Sequence, residues 1–315
     1  MTVRVTVRAD VVVYVFTTQD ARSFGYSKTD MDRKVAGNAW VRLAQGSYAT
    51  SAFNGLYPEE RHAVRVLGAL TTSKNEWYAS SWSALAALNL PLVDHDLSRI
   101  HLTRHSVTPA NRVHGRYIKV DRQLLREDQA SANGIPIVSV DLALIEFARQ
   151  SSFLASTTAI DAALHRKLTS KDALRARLAG TSGKGVSRAA AALDFSDGRA
   201  ESPGETRLRV LLFRHGFSTP IPQFEIRDGD SDGGPLIYIA DLYLPEENLV
   251  LEFDGKGKFA AGRMANSEWT QFDHQRSRDQ GLTARGYRVM HVTSRDFLDE
   301  KLLVARILER IRSKV

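Results

Sequence analysis

The chain has 315 residues, no cysteine, 43% hydrophobic residues and a formal net charge of +7. These values exclude disulfides, thiolate metal sites and cysteine nucleophiles, and a chain of this length is expected to divide into two or three domains without a covalent staple. The longest apolar run near the N-terminus, Val11 to Phe16, is too short to span a bilayer and no small-residue cleavage pattern follows it, so a cytoplasmic location is expected; the positive excess favours a polyanionic partner.

Residues 16–49 carry two short helical patterns and then a strand pair, the order of a winged helix-turn-helix. Thr17 or Thr18 can cap the first helix, Gly25 and Tyr26 make the turn, and Ser27 with Asp30 forms a capping box that opens a helix through Ala36. That helix is the candidate recognition helix. It carries Lys28, Arg33 and Lys34, and the wing after Trp40 adds Arg42 and Gln45 before a turn at Gly46. Such a helix enters the major groove while basic side chains clamp the backbone, although winged helices also serve as protein-protein modules. The stretch resembles the winged-helix domain of AbiEi-family antitoxins in its aromatic-Thr start and Gly-Ser-Tyr wing ending. That resemblance implies a DNA-binding domain over 1–57 and is compatible with a homodimer and with a cognate toxin.

The middle segment alternates helices at Arg61 to Leu70 and Ser81 to Leu88 with strands around Ile100 to Thr103 and Arg116 to Val120. Helices follow from Ser139 to Arg149, at 155–166 and at 170–179, before a loop at Gly180 to Gly185. This predicts an α+β domain over 58–195, which resembles the second domain of AbiEi-type proteins. Asp141 and Asp161 are expected at helix starts. His101, His105, His114 and His165 lack metal-ligand spacing and read as solvated or core histidines. Asp228 to Pro235, DGDSDGGP, lacks the distal glutamate of a calcium loop and reads as a hairpin connection.

Residues 237–258, IYIADLYLPEENLVLEFDGKGK, carry the chemistry. Two β-rich runs flank the turn-forming Pro245 to Asn248, which predicts antiparallel strands. If Leu244 pairs with Leu249, Asp241 falls opposite Glu252. Asp241, Glu252 and Asp254 then share a non-core face, while Leu242, Leu244, Leu249, Leu251 and Phe253 form the core face. Opposed carboxylates destabilise a sheet, and a divalent cation would remove the penalty. Lys256 and Lys258 follow at once, placed to hold an anionic substrate or an attacking water. The bland alternative is a charged edge strand that discourages aggregation.

Asp241, then Glu252, Asp254 and Gly255, then Lys256 and Lys258 resemble the PD-(D/E)xK nuclease superfamily, nearest to the very-short-patch-repair-type endonucleases. The resemblance implies a restriction-endonuclease-like α/β domain with a central mixed sheet over 196–315, Mg²⁺ or Mn²⁺ as cofactor, and DNA as substrate. It also implies an acidic residue on a preceding helix, matched by Glu205, whose spacing from Ser202 is equally that of a helix cap. Gln223 matches a glutamine on the preceding strand, and residues 272–292 match a final helix, with Arg276 and Arg278, and a final strand, with Gly286 at the helix stop. Asp254 stands where the superfamily usually has lysine, which leaves two readings. Either Asp254, Gly255 and Lys256 form the acid-x-Lys unit, or Glu252 and Asp254 both hold metal with Lys256 or Lys258 approaching from the loop. The expectation is a mixed α/β protein with Mg²⁺-dependent endonuclease activity, in phage defence, restriction or a toxin-antitoxin setting. The rival expectation is a DNA-binding regulator or antitoxin whose nuclease fold is an inactive scaffold.

Overall fold

The structure, a computed structural model, describes residues 11–228, 234–255 and 276–313, together with the backbone of 3–8. It is a mixed α/β protein built on three sheets and divided into two compact units, Met1–Ser196 and Asp197–Val315. Lys256 and Lys258, and most of the 228–235 connection, lie outside the described residues. Among the described residues no helix is long and apolar enough to cross a membrane.

The first unit opens with β1 (Val3–Arg8), β2 (Val11–Thr17), β3 (Trp40–Ala44) and β4 (Ser47–Thr50), an antiparallel sheet ordered β1-β2-β4-β3. Helices α1 (Thr18–Ser23) and α2 (Lys28–Ala36) connect β2 to β3. Thr17 supplies the first cap: its hydroxyl accepts the Asp20 amide at 3.2 Å, and the Asp20 carboxylate accepts the Thr17 amide at 2.9 Å. Ser27 and Asp30 repeat the device at α2, at 3.2 and 3.0 Å, so both predicted starts follow from reciprocal satisfaction of first-turn donors. Phe16, Ala21, Met31 and Tyr48 bury together beneath Tyr26 and Trp40.

A six-stranded mixed sheet follows: β5 (Tyr78–Ala79), β6 (Ile100–His105), β7 (Ala110–His114), β8 (Tyr117–Arg122), β9 (Gln129–Ala132) and β10 (Ile135–Val138), ordered β7-β8-β6-β5-β10-β9. The helices of this part are α3 (Pro58–Thr71), α4 (Ser81–Ala87), α5 (Val140–Ala148), α6 (Phe153–His165), α7 (Lys171–Ala179) and α8 (Val186–Phe195); α3 and α4 pack on strands of the sheet, and α5 to α8 pack on α4 and on one another. Through Val64, Val66 and Leu67 of α3, one core joins Val13, Val15 and Ala49 of the first sheet to Leu102 and Ile137 of the second. Sequence reading misses β5, β7, β9, β10 and α8. β7 is almost wholly exposed, and β9 is a polar strand of four residues, so neither shows the apolar alternation that marks a half-buried strand. Asp141 sits in the first turn of α5 as expected, but Asp161 does not start a helix: it is buried in the ninth position of α6.

The second unit comprises α9 (Pro203–Arg214), β11 (Ile221–Arg227), β12 (Leu236–Leu244), β13 (Leu249–Asp254), a helix over 276–284 (α10), β14 (Arg288–Thr293) and α11 (Glu300–Arg312). The sheet order is β11-β12-β13-β14, antiparallel except for the parallel pair β13 and β14. One face carries Leu242, Leu244, Leu249 and Leu251 against Leu208, Leu211 and Leu212 of α9 and Leu303 and Ile307 of α11. The other carries Ile226, Ala240, Val250 and Val289 with Leu282 of α10. The acidic face is therefore not free of core, as the alternation suggested. A sheet covered on both faces needs near-continuous apolar strands, and LVLEF is one.

Leu244 pairs with Leu249, Tyr243 with Val250 and Leu242 with Leu251, the expected register. The pairing stops there, one step before Asp241 and Glu252. Instead the Asp241 carboxylate accepts the Phe253 amide at 2.8 Å, taking the place of a ladder carbonyl. On the other side, the pairing of β11 with β12 skips Gln223 and Asp241, and Gln223 adopts a φ of +50°, rare for a residue with a side chain.

Candidate active site

Glu205 is placed by the start of α9. Ser202 caps the helix by accepting the Glu205 amide at 3.2 Å and donates its own hydroxyl to Glu205 Oε1 at 2.8 Å, while the Glu201 amide donates to Oε2 at 3.0 Å. Gly204 lets this turn approach β13: a Cβ there would lie 1.9 Å from Phe253 Cε1. Gln223 Nε2 reaches Glu205 Oε2 at 3.4 Å. The capping reading of Glu205 holds, and its carboxylate is buried, 5% exposed.

Asp241 is the hub of the acidic group. Burial pushes the Glu205 carboxyl above its ordinary range, and the charge of Asp241 pushes it the same way. Glu252, 7% exposed, is pushed up to about 7, first by burial and then by the charge of Asp241, against the opposing pull of the Tyr238 hydroxyl and the Asp241 backbone amide. Glu252 Oε2 accepts the Tyr238 hydroxyl at 2.7 Å. Its other oxygen, Oε1, is buried with no hydrogen-bond partner among the described residues. A buried acceptor left unmet costs on the order of 1–3 kcal/mol, so a cation or donor at that point would recover it.

The donor chemistry fits a hard divalent cation, which is commonly held by one or two carboxylates with water and substrate phosphate completing the shell. Asp241 and Glu252 are the residues that could hold one. Among the described residues, however, no three His, Asp or Glu side chains group closely enough to cage a metal. Asp254 is turned toward β14, where His291 Nδ1 stands 3.3 Å from its carboxylate and His291 Nε2 stands 3.0 Å from Asp279. Asp254 therefore does not join Asp241 and Glu252 as the alternation suggested.

Tyr238, His291 and Asp279 are the residues that sequence reasoning missed. Tyr238 lies three positions before Asp241, so strict alternation places it on the opposite face; the break in pairing at Asp241 brings it onto the face of Glu252 instead. Arg278 of α10, noted only as a helix residue, stacks over the Tyr238 ring at 4.9 Å and approaches its hydroxyl at 3.1 Å.

In the first unit Lys28, Arg33, Lys34 and Arg42 are all exposed. Arg33 pairs with Asp30 at 3.4 Å, and Arg42 of β3 pairs with Asp32 at 3.0 Å, so α2 carries acids that partly offset its bases. Both pairs are on the surface, where such bridges contribute little and are readily exchanged for a phosphate.

No protein-family model matches the chain, and no curated protein matches it significantly.

Proposed function

We propose that the chain is a metal-dependent DNA endonuclease of the PD-(D/E)xK type, with an AbiEi-like winged helix supplying DNA affinity. The observation that carries this reading is the pair of buried carboxylates Glu205 and Glu252, whose carboxyl values burial and then half-buried Asp241 raise, with Glu252 holding an oxygen that has no hydrogen-bond partner among the described residues. Burying carboxylates whose pKa values are raised is costly, and such perturbed groups gather where function requires them.

Mg²⁺ or Mn²⁺ held there would supply activation of a water and neutralisation of charge on the phosphate. The protein's own part is orientation. Asp241 is fixed by the Phe253 amide, Glu252 by Tyr238, and Tyr238 in turn by Arg278. Glu205, held by its cap, would contact a metal-bound water, and Lys256 or Lys258 would hold phosphate or nucleophile.

The competing reading, a DNA-binding regulator or antitoxin with an inactive nuclease fold, draws on the lack of a three-ligand group among the described residues. Incubating supercoiled, linear and single-stranded DNA with the full chain in Mg²⁺ and in EDTA separates the two. Cleavage that requires Mg²⁺ supports the nuclease; intact DNA of every form, with binding retained, supports the regulator.

A further inference from the structure

We propose that one face of strands β6, β8 and β7, with the arginines that adjoin it on α3 and in the β7–β8 turn, binds the phosphate backbone of double-stranded DNA. This is a second contact for DNA, apart from α2. The choice of DNA rests on the function proposed above, but no residue of the metal site enters it.

The pairing of the strands sets the face. Lys119 of β8 lies between Leu102 of β6 and Arg112 of β7, and Asp121 lies between Arg104 and Ala110. Arg112 and Lys119 are thus directly opposed, an arrangement of like charges that weakens a sheet. Asp121, 3% exposed, is the sole carboxylate on this face of the three strands, and it is already engaged: Arg104 Nε donates to one oxygen at 2.5 Å and Arg112 takes the other. Lys119 meets no carboxylate among the described residues. Its ammonium sits over the rings of Trp77 and Tyr117 at 5.3 and 5.4 Å, and Arg104 lies over Trp77 at 5.0 Å.

Basic side chains on an edge strand ordinarily discourage aggregation. That accounts for Arg112 on β7, the outermost strand, but not for Lys119 and Arg104 on strands inside the sheet, nor for the arginines past the turn. There Arg116, exposed after Gly115, stands near Arg65 and Arg61 of α3. Burial, and then the charges of Arg116 and Arg61, push the Arg65 guanidinium below its ordinary value. No carboxylate pairs with any of the three among the described residues. Arg61 Nε donates to the Leu56 carbonyl at 2.9 Å, Arg65 stacks over Phe53 at 5.4 Å, and Glu60 of the same helix is turned back to accept the Tyr57 amide at 2.7 Å. Repulsion among cations gathered in this way is relieved by a partner that carries many negative charges in a row.

The chemistry of the face selects that partner. Trp77 is buried beneath its two cations and Tyr117 is half-buried under Lys119, so neither ring stands free to stack an unpaired base, as binding of a single strand requires. A protein partner is anchored by apolar or aromatic side chains that enter pockets, whereas the side chains that project from this face are basic. The sheet spaces them by about 4.7–4.9 Å between strands and about 6.6–6.8 Å along a strand, a row of cations suited to the repeating charge of a duplex backbone.

The test is fluorescence anisotropy of the full chain with a labelled duplex and with a single strand of the same sequence, from about 50 to 200 mM salt. It is run in EDTA, so the result does not depend on whether the chain cleaves. Arg112→Ala/Arg116→Ala is expected to lower the salt slope for duplex by about two and the affinity by about tenfold or more, at an unchanged melting temperature because Arg104 still holds Asp121. Arg116→Ala alone, in an exposed turn, is expected to lower the slope by about one, which keeps the test sound should the double variant lose stability. Lys184→Ala/Arg188→Ala removes the same charge from exposed positions before and on α8, and is expected to bind as wild type does. The inference is overturned if Arg116→Ala and the double variant both keep the wild-type slope, if Lys184→Ala/Arg188→Ala lowers it equally, or if only single-strand binding changes. It is also overturned if polyglutamate displaces the duplex as well as unlabelled duplex does at equal charge, which would assign the face to acidic proteins.

Discussion

The Tyr238 hydroxyl donates to Glu252 Oε2 at 2.7 Å while Arg278 stacks on the Tyr238 ring. The phenol thus fixes one oxygen of the carboxylate and leaves the other, Oε1, buried with no hydrogen-bond partner among the described residues. Desolvation and the neighbouring Glu252 charge raise the phenol's own pKa, so Tyr238 stays a donor at any working pH.

Tyr238→Phe keeps the ring and its packing but removes the donor. Outer-shell partners of ligating groups typically contribute about 10–100-fold in metal affinity or activity. The variant is expected to cleave DNA about tenfold or more slowly and to need more Mg²⁺ for half-maximal rate. Wild-type Mg²⁺ dependence in Tyr238→Phe would show that the phenol orients nothing of consequence.

Asp241→Asn tests the repulsion directly. Asparagine keeps an oxygen to accept the Phe253 amide and removes the charge that helps push Glu252 up to about 7. Because the folded value of Glu252 lies above its ordinary 4.5, the stability tied to its protonated form is fully present below 4.5 and is lost as pH rises through about 7. In EDTA at pH 8 the variant is therefore expected to be more stable than wild type, by about 1 kcal/mol on the scale of opposed like charges, and the gain should shrink at pH 5. Magnesium should reverse the order by stabilising wild type alone. Thermal melting at both pH values, with EDTA and with Mg²⁺, reads this out; a wild type that is more stable in EDTA and indifferent to Mg²⁺ would contradict it.

Much of this site was legible in the chain. The turn at Pro245 to Asn248 and the flanking apolar runs fix the register, because a slip by one residue would turn Leu242, Leu244, Leu249 and Leu251 away from α9 and α11. Ser202 and Glu205 announced their helix start by spacing alone. Tyr238 and the separation of Asp254 were not legible. Both follow from local geometry: the Asp241 side chain substitutes for a ladder carbonyl, Gln223 takes a left-handed backbone beside it, and His291 arrives from a strand whose parallel pairing to β13 no local pattern encodes. The short strands β7 and β9 escaped because alternation needs a buried face to record it.

At the N-terminus, Arg33 lies on the solvent side of α2, away from buried Met31, and Lys34 is beside it. Each is expected to contact phosphate rather than a base. Arg33→Ala and Lys34→Ala should weaken binding evenly across DNA sequences and lower the salt slope by about one each. Affinity measured from 50 to 200 mM salt decides it, and slopes unchanged in both variants would assign this domain to protein contacts instead.

The central claim is that Asp241 and Glu252 hold the metal that cuts DNA. The most direct measurement compares wild type with Glu252→Gln, which keeps size and an acceptor for Tyr238 but removes the charge, in Mg²⁺-dependent cleavage and in DNA binding under the same salt. Wild type is expected to cleave only with Mg²⁺ or Mn²⁺, and Glu252→Gln to bind DNA within about twofold of wild type while cleaving at least about 100-fold more slowly, as expected when a charge directly stabilising the reaction is lost. Cleavage by Glu252→Gln at the wild-type rate, or cleavage by wild type that persists in EDTA, would contradict the claim.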